Sequence, residues 1–208
     1  MDTELNYLEL VTKDIRFTDC YKTCMNCGIC SAICPAAHVY DYKPRELYSI
    51  IQRGSNSEIK TMLSSDIIWE CGQCLSCKPR CPRNNIPGVL VQILRKVSQQ
   101  TGLYKQSTKG IAQKEIVRSI GKNIYATGYC ISPDALIPSD HPELGPVWEW
   151  TYENREDLYP RLGSPYKKET IGSVRAIPSK TITELQMIFE LTNGTDFLNT
   201  IMEGESWQ

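Results

Sequence analysis

The chain has 208 residues, 10 cysteines and a formal net charge of −1. That length is one domain or one domain with extensions, and the charge balance leaves no basic excess for nucleic acid or anionic lipid. Ten cysteines are too few for a disulfide scaffold, which takes roughly 8–10% cysteine, and no apolar run approaches the roughly 18 residues that span a bilayer.

Residues 1–19 mix apolar and acidic side chains without a clean period; Leu5, Leu8 and Leu10 suit a short helix or an edge strand. This segment is expected to be an arm packed over the rest. Cys20 stands apart from the cysteines that follow and reads as a buried thiol rather than a ligand. Then comes CMNCGICSAICP, Cys24 to Pro35, with the spacing C-x2-C-x2-C-x3-C-P. CGQCLSCKPRCP, Cys71 to Pro82, repeats it with every cysteine 47 residues after its counterpart.

That spacing is the [4Fe–4S] ferredoxin run, in which three thiolates wrap one cubane and the fourth, before proline, reaches the other. The expected ligands are Cys24, Cys27, Cys30 and Cys81 for cluster one, and Cys71, Cys74, Cys77 and Cys34 for cluster two. Structural zinc competes, but it takes two C-x2-C pairs around one ion and has no use for the terminal C-x3-C-P. Disulfides would suit a secreted chain, and no export signal is recognised. No transit or lipidation signal is recognised either, so a reducing cytoplasm is expected.

Between the runs, Pro44 suits a first helical position, Leu47, Ile50 and Ile51 form a stripe, and Gly54 ends it. Ser55-Asn56-Ser57 can cap a second helix carrying Ile59, Met62 and Leu63. Ile67-Ile68-Trp69 then feeds Cys71. Two helices between the runs make the expected fold mainly α, an α-helical ferredoxin. After Pro87, Val89, Leu90, Ile93, Leu94 and Val97 mark a core-facing helix that Gly102 stops. Residues 111–120 predict a short helix bounded by Gly110 and Gly121.

From 131 to 178 prolines are dense and interleaved with Trp148, Trp150, Tyr152, Tyr159 and Tyr166. Prolines at that density preclude long helices, and the aromatics argue against plain disorder. Either an extended arm lays them on a partner, or an irregular loop folds back on its own domain. At the end, Thr181-Ile182-Thr183-Glu184 has capping-box form, Leu185, Ile188 and Phe189 mark one face, Asn193-Gly194 stops, and Phe197, Leu198, Ile201 and Met202 mark another. This predicts a helical hairpin. The expected organisation is an N-terminal arm (1–19), the cluster domain (20–125), an extended irregular arm (126–180) and the hairpin (181–208).

Gly28 and Gly72 lie inside the cluster loops, where glycine permits close backbone approach to sulfur. Lys22, Lys78, Arg80 and Arg83 flank the cysteines, either as electrostatic support for a reduced cluster or as solvated charges. His38 and His141 read as surface or hydrogen-bonded residues rather than a base or ligands. There is no G-x-G-x-x-G or P-loop. With eight cysteines committed to iron, no catalytic residue is expected, and the pattern describes a one-electron relay.

CMNCGICSAICP, WECGQCLSCKPRCP and IPGVLVQILRKV, closest over residues 20–105, together with the tail TELQMIFELTNGTDFLNTI, resemble the C subunit of heterodisulfide reductase. The resemblance implies a soluble two-cubane, non-catalytic subunit of an oxidoreductase complex, with the ligand roles on the eight repeat cysteines. Its partners would be the A subunit, which carries flavin and iron–sulfur centres, and the B subunit, whose CCG motifs belong to reduction of the mixed disulfide of coenzyme M and coenzyme B in methanogenesis. A hydrogenase or formate dehydrogenase would supply electrons through flavin-based bifurcation. No CCG motif occurs here, so this chain would be the relay. The alternatives are an iron–sulfur subunit of a membrane-associated, quinone-linked dehydrogenase or of a related sulfur-metabolism complex. The succinate type would add a plant-type C-x4-C-x2-C run, and none is present.

Overall fold

A computed structural model describes residues 5–202, and among them there are helices and turns but no strand. The fold is mainly α, as expected. Residues 1–4 of the predicted N-terminal arm and 203–208 of the predicted hairpin lie outside the described residues. The chain divides into two units, Met1–Gln113 and Lys114–Gln208.

The first unit is built from α1 (Tyr7–Thr12), α2 (Phe17–Cys20), α3 (Ile29–Ala32), α4 (Pro44–Arg53), α5 (Asn56–Ser64) and α6 (Pro87–Gln100). Local chemistry places the ends. Pro44 and Pro87 open α4 and α6, where a missing N–H costs nothing. Gly54 closes α4 in the left-handed region at φ 70°, a conformation glycine adopts freely. The Ser55 side chain accepts from Glu58 N–H to cap α5. The predicted stripe of α6 is buried at Leu90, Ile93, Leu94 and Val97, and Val91 joins it at 0% exposure. Helix α6 therefore packs against α1, α2, α4 and α5 and forms the axis of this unit.

The N-terminal segment packs on that axis through Tyr7 and Val11, both buried. Asp14, just after α1, fixes it further. Its carboxylate, 4% exposed, accepts from Arg16 at 2.8 Å and from Lys96 of α6 at 3.0 Å. The bonds from Arg16 above all hold the carboxyl well below its usual range. A depressed folded-state value means the contribution is fully present above the unfolded carboxyl range and is lost progressively as pH falls from there through the folded-state value. Asp14→Asn is expected to cost about 1–3 kcal/mol at pH 7. Denaturant midpoints of variant and wild type should converge as pH drops below about 5.

Helix α7 runs Thr108–Thr127, through both glycines expected to bound it. The reason is close packing rather than termination. A Cβ on Gly110 would lie 2.6 Å from the Tyr104 carbonyl oxygen, and one on Gly121 would lie 2.6 Å from Leu198 Cδ2. Backbone leaves no room for a side chain at Gly110, the Leu198 side chain packs closely on Gly121, and the helix continues through both.

The second unit contains α8 (Gly145–Glu153), α9 (Arg155–Arg161), α10 (Ser179–Leu191) and α11 (Gly194–Met202). The stretch expected as an extended arm thus carries two helices, kept short by its prolines: Pro146 sits in the first turn of α8 and Pro160 in the last turn of α9. Most of its aromatics are engaged locally. Trp148 Nε1 donates to the Leu136 carbonyl at 2.9 Å, the Tyr166 hydroxyl donates to Asp134 at 2.6 Å, and Tyr159 stacks on Tyr166. Trp150 remains 55% exposed.

Helix α10 starts at Ser179, so Thr181–Glu184 lies within the helix and forms no capping box; Thr183 Oγ1 instead donates to the Ser179 carbonyl. Ile188, expected on the apolar face, is 55% exposed. In α11, Leu198, Ile201 and Met202 are buried as expected, with Phe189, Tyr125 and Val117 packed around Leu198 and Met202.

Candidate metal centres

The sequence repeat is also a backbone repeat. In each run the second residue after the first cysteine is left-handed, Asn26 at φ 59° and Gln73 at φ 52°. Each aims its N–H at the preceding cysteine sulfur, Asn26 to Cys24 and Gln73 to Cys71, both at 3.4 Å. The next left-handed pair is Gly28 at φ 79° and Leu75 at φ 57°. Of the two loop glycines, Gly28 makes a left-handed turn, whereas Gly72 lines the larger cavity. A Cβ on Gly72 would meet nothing within 4 Å, and Leu75 makes the corresponding turn. The fourth cysteines also match: Cys34 (φ −74°, ψ 120°) and Cys81 (φ −80°, ψ 117°) are extended. The proline after each enforces that geometry.

These loops surround two cavities. One, of about 300 Å³, is lined by Cys71, Cys74 and Cys77 together with Cys34. The other, much smaller, is lined by Cys24, Cys27 and Cys30 together with Cys81. Cys30 also reaches the larger one. The thiols stand around a space rather than converging on a point. Among the described residues no three Cys, His, Asp or Glu side chains form a single-ion site. Burial pushes the Cys30 and Cys77 thiols up, while Ser76 holds Cys74 down through its backbone N–H.

Three neighbours were not evident in the sequence. Arg95, part-buried on α6, donates from Nε to the Ile68 carbonyl and from a terminal nitrogen to the Cys71 carbonyl, both at 2.8 Å. It also lies 5.4 Å from the Trp69 ring centre. Burial pulls its pKa down, and the sulfur of Cys71 opposes that. Arg45 lines the smaller cavity beside Gly28. Tyr42 lines the larger one at 1% exposure, and its hydroxyl has no oxygen or nitrogen partner. Burial pushes its phenol far above the ordinary value, and Cys71 acts in the same direction. Tyr42 therefore keeps its proton and is a donor. A charged residue inside the otherwise apolar α6 stripe was the one sequence signal for Arg95.

Of the four flanking cations, only Arg83 lines a cavity. Lys22 Nζ donates to the Thr18 carbonyl and Arg80 donates to the Ser76 carbonyl at 2.8 Å, while Lys78 is exposed. Cys20 is fully buried, its thiol 3.6 Å from the Phe17 carbonyl and pushed up to about 11 by burial, as suits a core residue. His38 is exposed, and neither it nor His141 lines either cavity. Cys130 is exposed in the second unit.

Thiols arranged around a space, N–H groups aimed at sulfur and a buried hydroxyl lacking an acceptor all fit a sulfur-rich cofactor. The pattern of the 4Fe-4S dicluster domain matches residues 21–85, and two [4Fe–4S] clusters are the cofactors of that domain.

The chain is 32% identical over 160 residues to the C subunit of the ferredoxin:CoB-CoM heterodisulfide reductase of Methanosarcina acetivorans, covering 76% of this chain and 61% of that protein. It is 32% identical over 81 residues to the C2 subunit of the H2/formate:CoB-CoM heterodisulfide,ferredoxin reductase of Methanococcus maripaludis, covering 39% and 42%. It is 28% identical over 93 residues to the C subunit of the H2:CoB-CoM heterodisulfide,ferredoxin reductase of Methanothermobacter thermautotrophicus, covering 45% and 49%. The chain thus spans less than two thirds of each of these relatives. The first match is longer than the first unit and so takes in sequence from the second. Among the described residues no helix is long and apolar enough to cross a membrane.

Proposed function

We propose, for a chain that belongs with the dicluster C subunits of heterodisulfide reductases, that it is the electron relay of such a complex. Cys24, Cys27, Cys30 and Cys81 hold one cluster, and Cys71, Cys74, Cys77 and Cys34 hold the other. Bound [4Fe–4S] clusters supply reversible one-electron storage. The chain's own residues fix the two clusters on one unit, cover them with buried side chains and offer N–H donors to their sulfurs. Each proline-linked fourth cysteine ties one run to the other, so the separation is set by the fold and not by a flexible link.

The observation that carries this reading is the pair of thiol-lined cavities, each containing one run's first three cysteines and the other run's fourth. The relatives' names, which give a CoB-CoM heterodisulfide and hydrogen or formate, support the substrate and the electron source of the finer reading. Electrons pass between a flavin-bearing partner, the A subunit, and a disulfide-reducing partner, the B subunit, which acts on the coenzyme M–coenzyme B disulfide, with a hydrogenase or formate dehydrogenase upstream.

Anaerobic purification tests the first part. About eight iron and eight sulfide per chain are expected, with paramagnetic signals after dithionite. One or two zinc ions per chain would end the reading. An anaerobic pull-down tests the second part: a flavoprotein and a CCG-motif protein are expected to co-purify, and a membrane quinone-linked dehydrogenase in their place would refute the assignment to this complex.

A further inference from the structure

Each cavity is lined by one buried tyrosine, and the two differ in what their hydroxyls meet. Tyr48, on the smaller cavity, donates to the Cys20 carbonyl at 2.6 Å. Tyr42, on the larger, is 1% exposed; its hydroxyl meets no oxygen or nitrogen acceptor and lies toward the Cys71 sulfur. A buried hydroxyl without an acceptor is costly and uncommon. The groups that act on this hydroxyl are the sulfurs of Cys71, Cys34 and Cys77, which line the same space.

We propose that the Tyr42 hydroxyl donates a hydrogen bond to a sulfur of the cluster held through Cys71, and so raises the reduction potential of that cluster alone. This rests on the relay reading. A hydrogen bond to sulfur stabilises the added negative charge of the reduced form more than the oxidised form. The smaller cavity lacks the equivalent donor, because the Tyr48 hydroxyl is held by backbone. The hydrogen bond thus adds to the residence of the electron on the Cys71 side, where Cys74 and Leu75 are exposed.

The test is a potentiometric EPR titration of the anaerobically purified full chain, comparing wild type, Tyr42→Phe and Tyr48→Phe. The Cys71-side signal is identified as the one lost in Cys71→Ala. Tyr42→Phe keeps the ring and is expected to retain its iron. It should lower the Cys71-side midpoint by a tenfold change in the reduction equilibrium, about 59 mV for one electron, and leave the other unmoved. Tyr48→Phe should lower the melting temperature and leave both midpoints in place.

Unchanged midpoints in fully loaded Tyr42→Phe, or a shift confined to the Cys24 side, overturn the proposal. If Tyr42→Phe fails to load, 3-fluorotyrosine at position 42 decides. It preserves the shape and is a stronger donor, so it should raise the same midpoint; no rise overturns the proposal. Wild-type protein without two reducible clusters would refute the relay reading itself.

Discussion

Cys34→Ala should leave the chain with about four of its eight irons, and the survivors should be those of the Cys24 run. The direction is not what linear proximity suggests, since Cys34 is the last cysteine of the first run. It follows from the proline after it, which holds Cys34 extended and carries it toward the cavity of Cys71, Cys74 and Cys77. Cys81→Ala should do the reverse, leaving the cluster of the second run. Iron analysis with EPR of the reduced variants reads both results. Loss confined to the first-run cluster in Cys34→Ala would refute crossed ligation, and so would loss of both clusters in a variant that still melts cooperatively.

What the sequence displayed and what it concealed divide along one line. Cysteine spacing is visible because a cubane fixes the separation of its ligands, and short loops must meet that demand within a few residues. Helix ends at Pro44, Gly54, Ser55 and Pro87 are visible for the same reason, since capping is local chemistry. Gly110 and Gly121 look like stops to any local rule, yet what decides them is the Tyr104 carbonyl and Leu198, the latter 77 residues beyond Gly121 in the chain. Leu75 rather than Gly72 turns the second loop. A left-handed leucine is disfavoured locally, so only the matching geometry of the first loop reveals it. The proline-rich stretch was legible as short-element sequence but not as helix: Pro146 falls in a first turn, where the missing N–H is tolerated, and Pro160 comes one residue before its helix ends. Tyr42 carries no local mark of importance and Arg95 only its charge within an apolar stripe, because that importance is defined by Cys71, which stands 29 and 24 residues away.

Arg95→Met should lower both the stability of the protein and the reduction potential of the Cys71-side cluster, and the two effects can be separated. The guanidinium donates to two backbone carbonyls, Ile68 and Cys71. A bond from a charged donor contributes roughly 1.5–3 kcal/mol, and partial burial of the cation offsets some of that. The net loss is expected at about 2–4 kcal/mol. Methionine retains an apolar stem beside Trp69, so most of the loss comes from the two carbonyls left without a donor. The redox effect has a different origin. Among the described residues no carboxylate forms an ion pair with Arg95, so its charge is not neutralised within the protein and acts at the Cys71 side, where burial weakens solvent screening. Removing that charge disfavours the more negative reduced form. Arg95→Lys distinguishes the two causes: it keeps the charge, but its compact ammonium lacks the planar fork that spans two carbonyls. It should recover most of the potential and little of the melting temperature. Equal recovery of both would mean that the potential follows packing, and an unshifted potential in Arg95→Met would mean that solvent screens the charge after all.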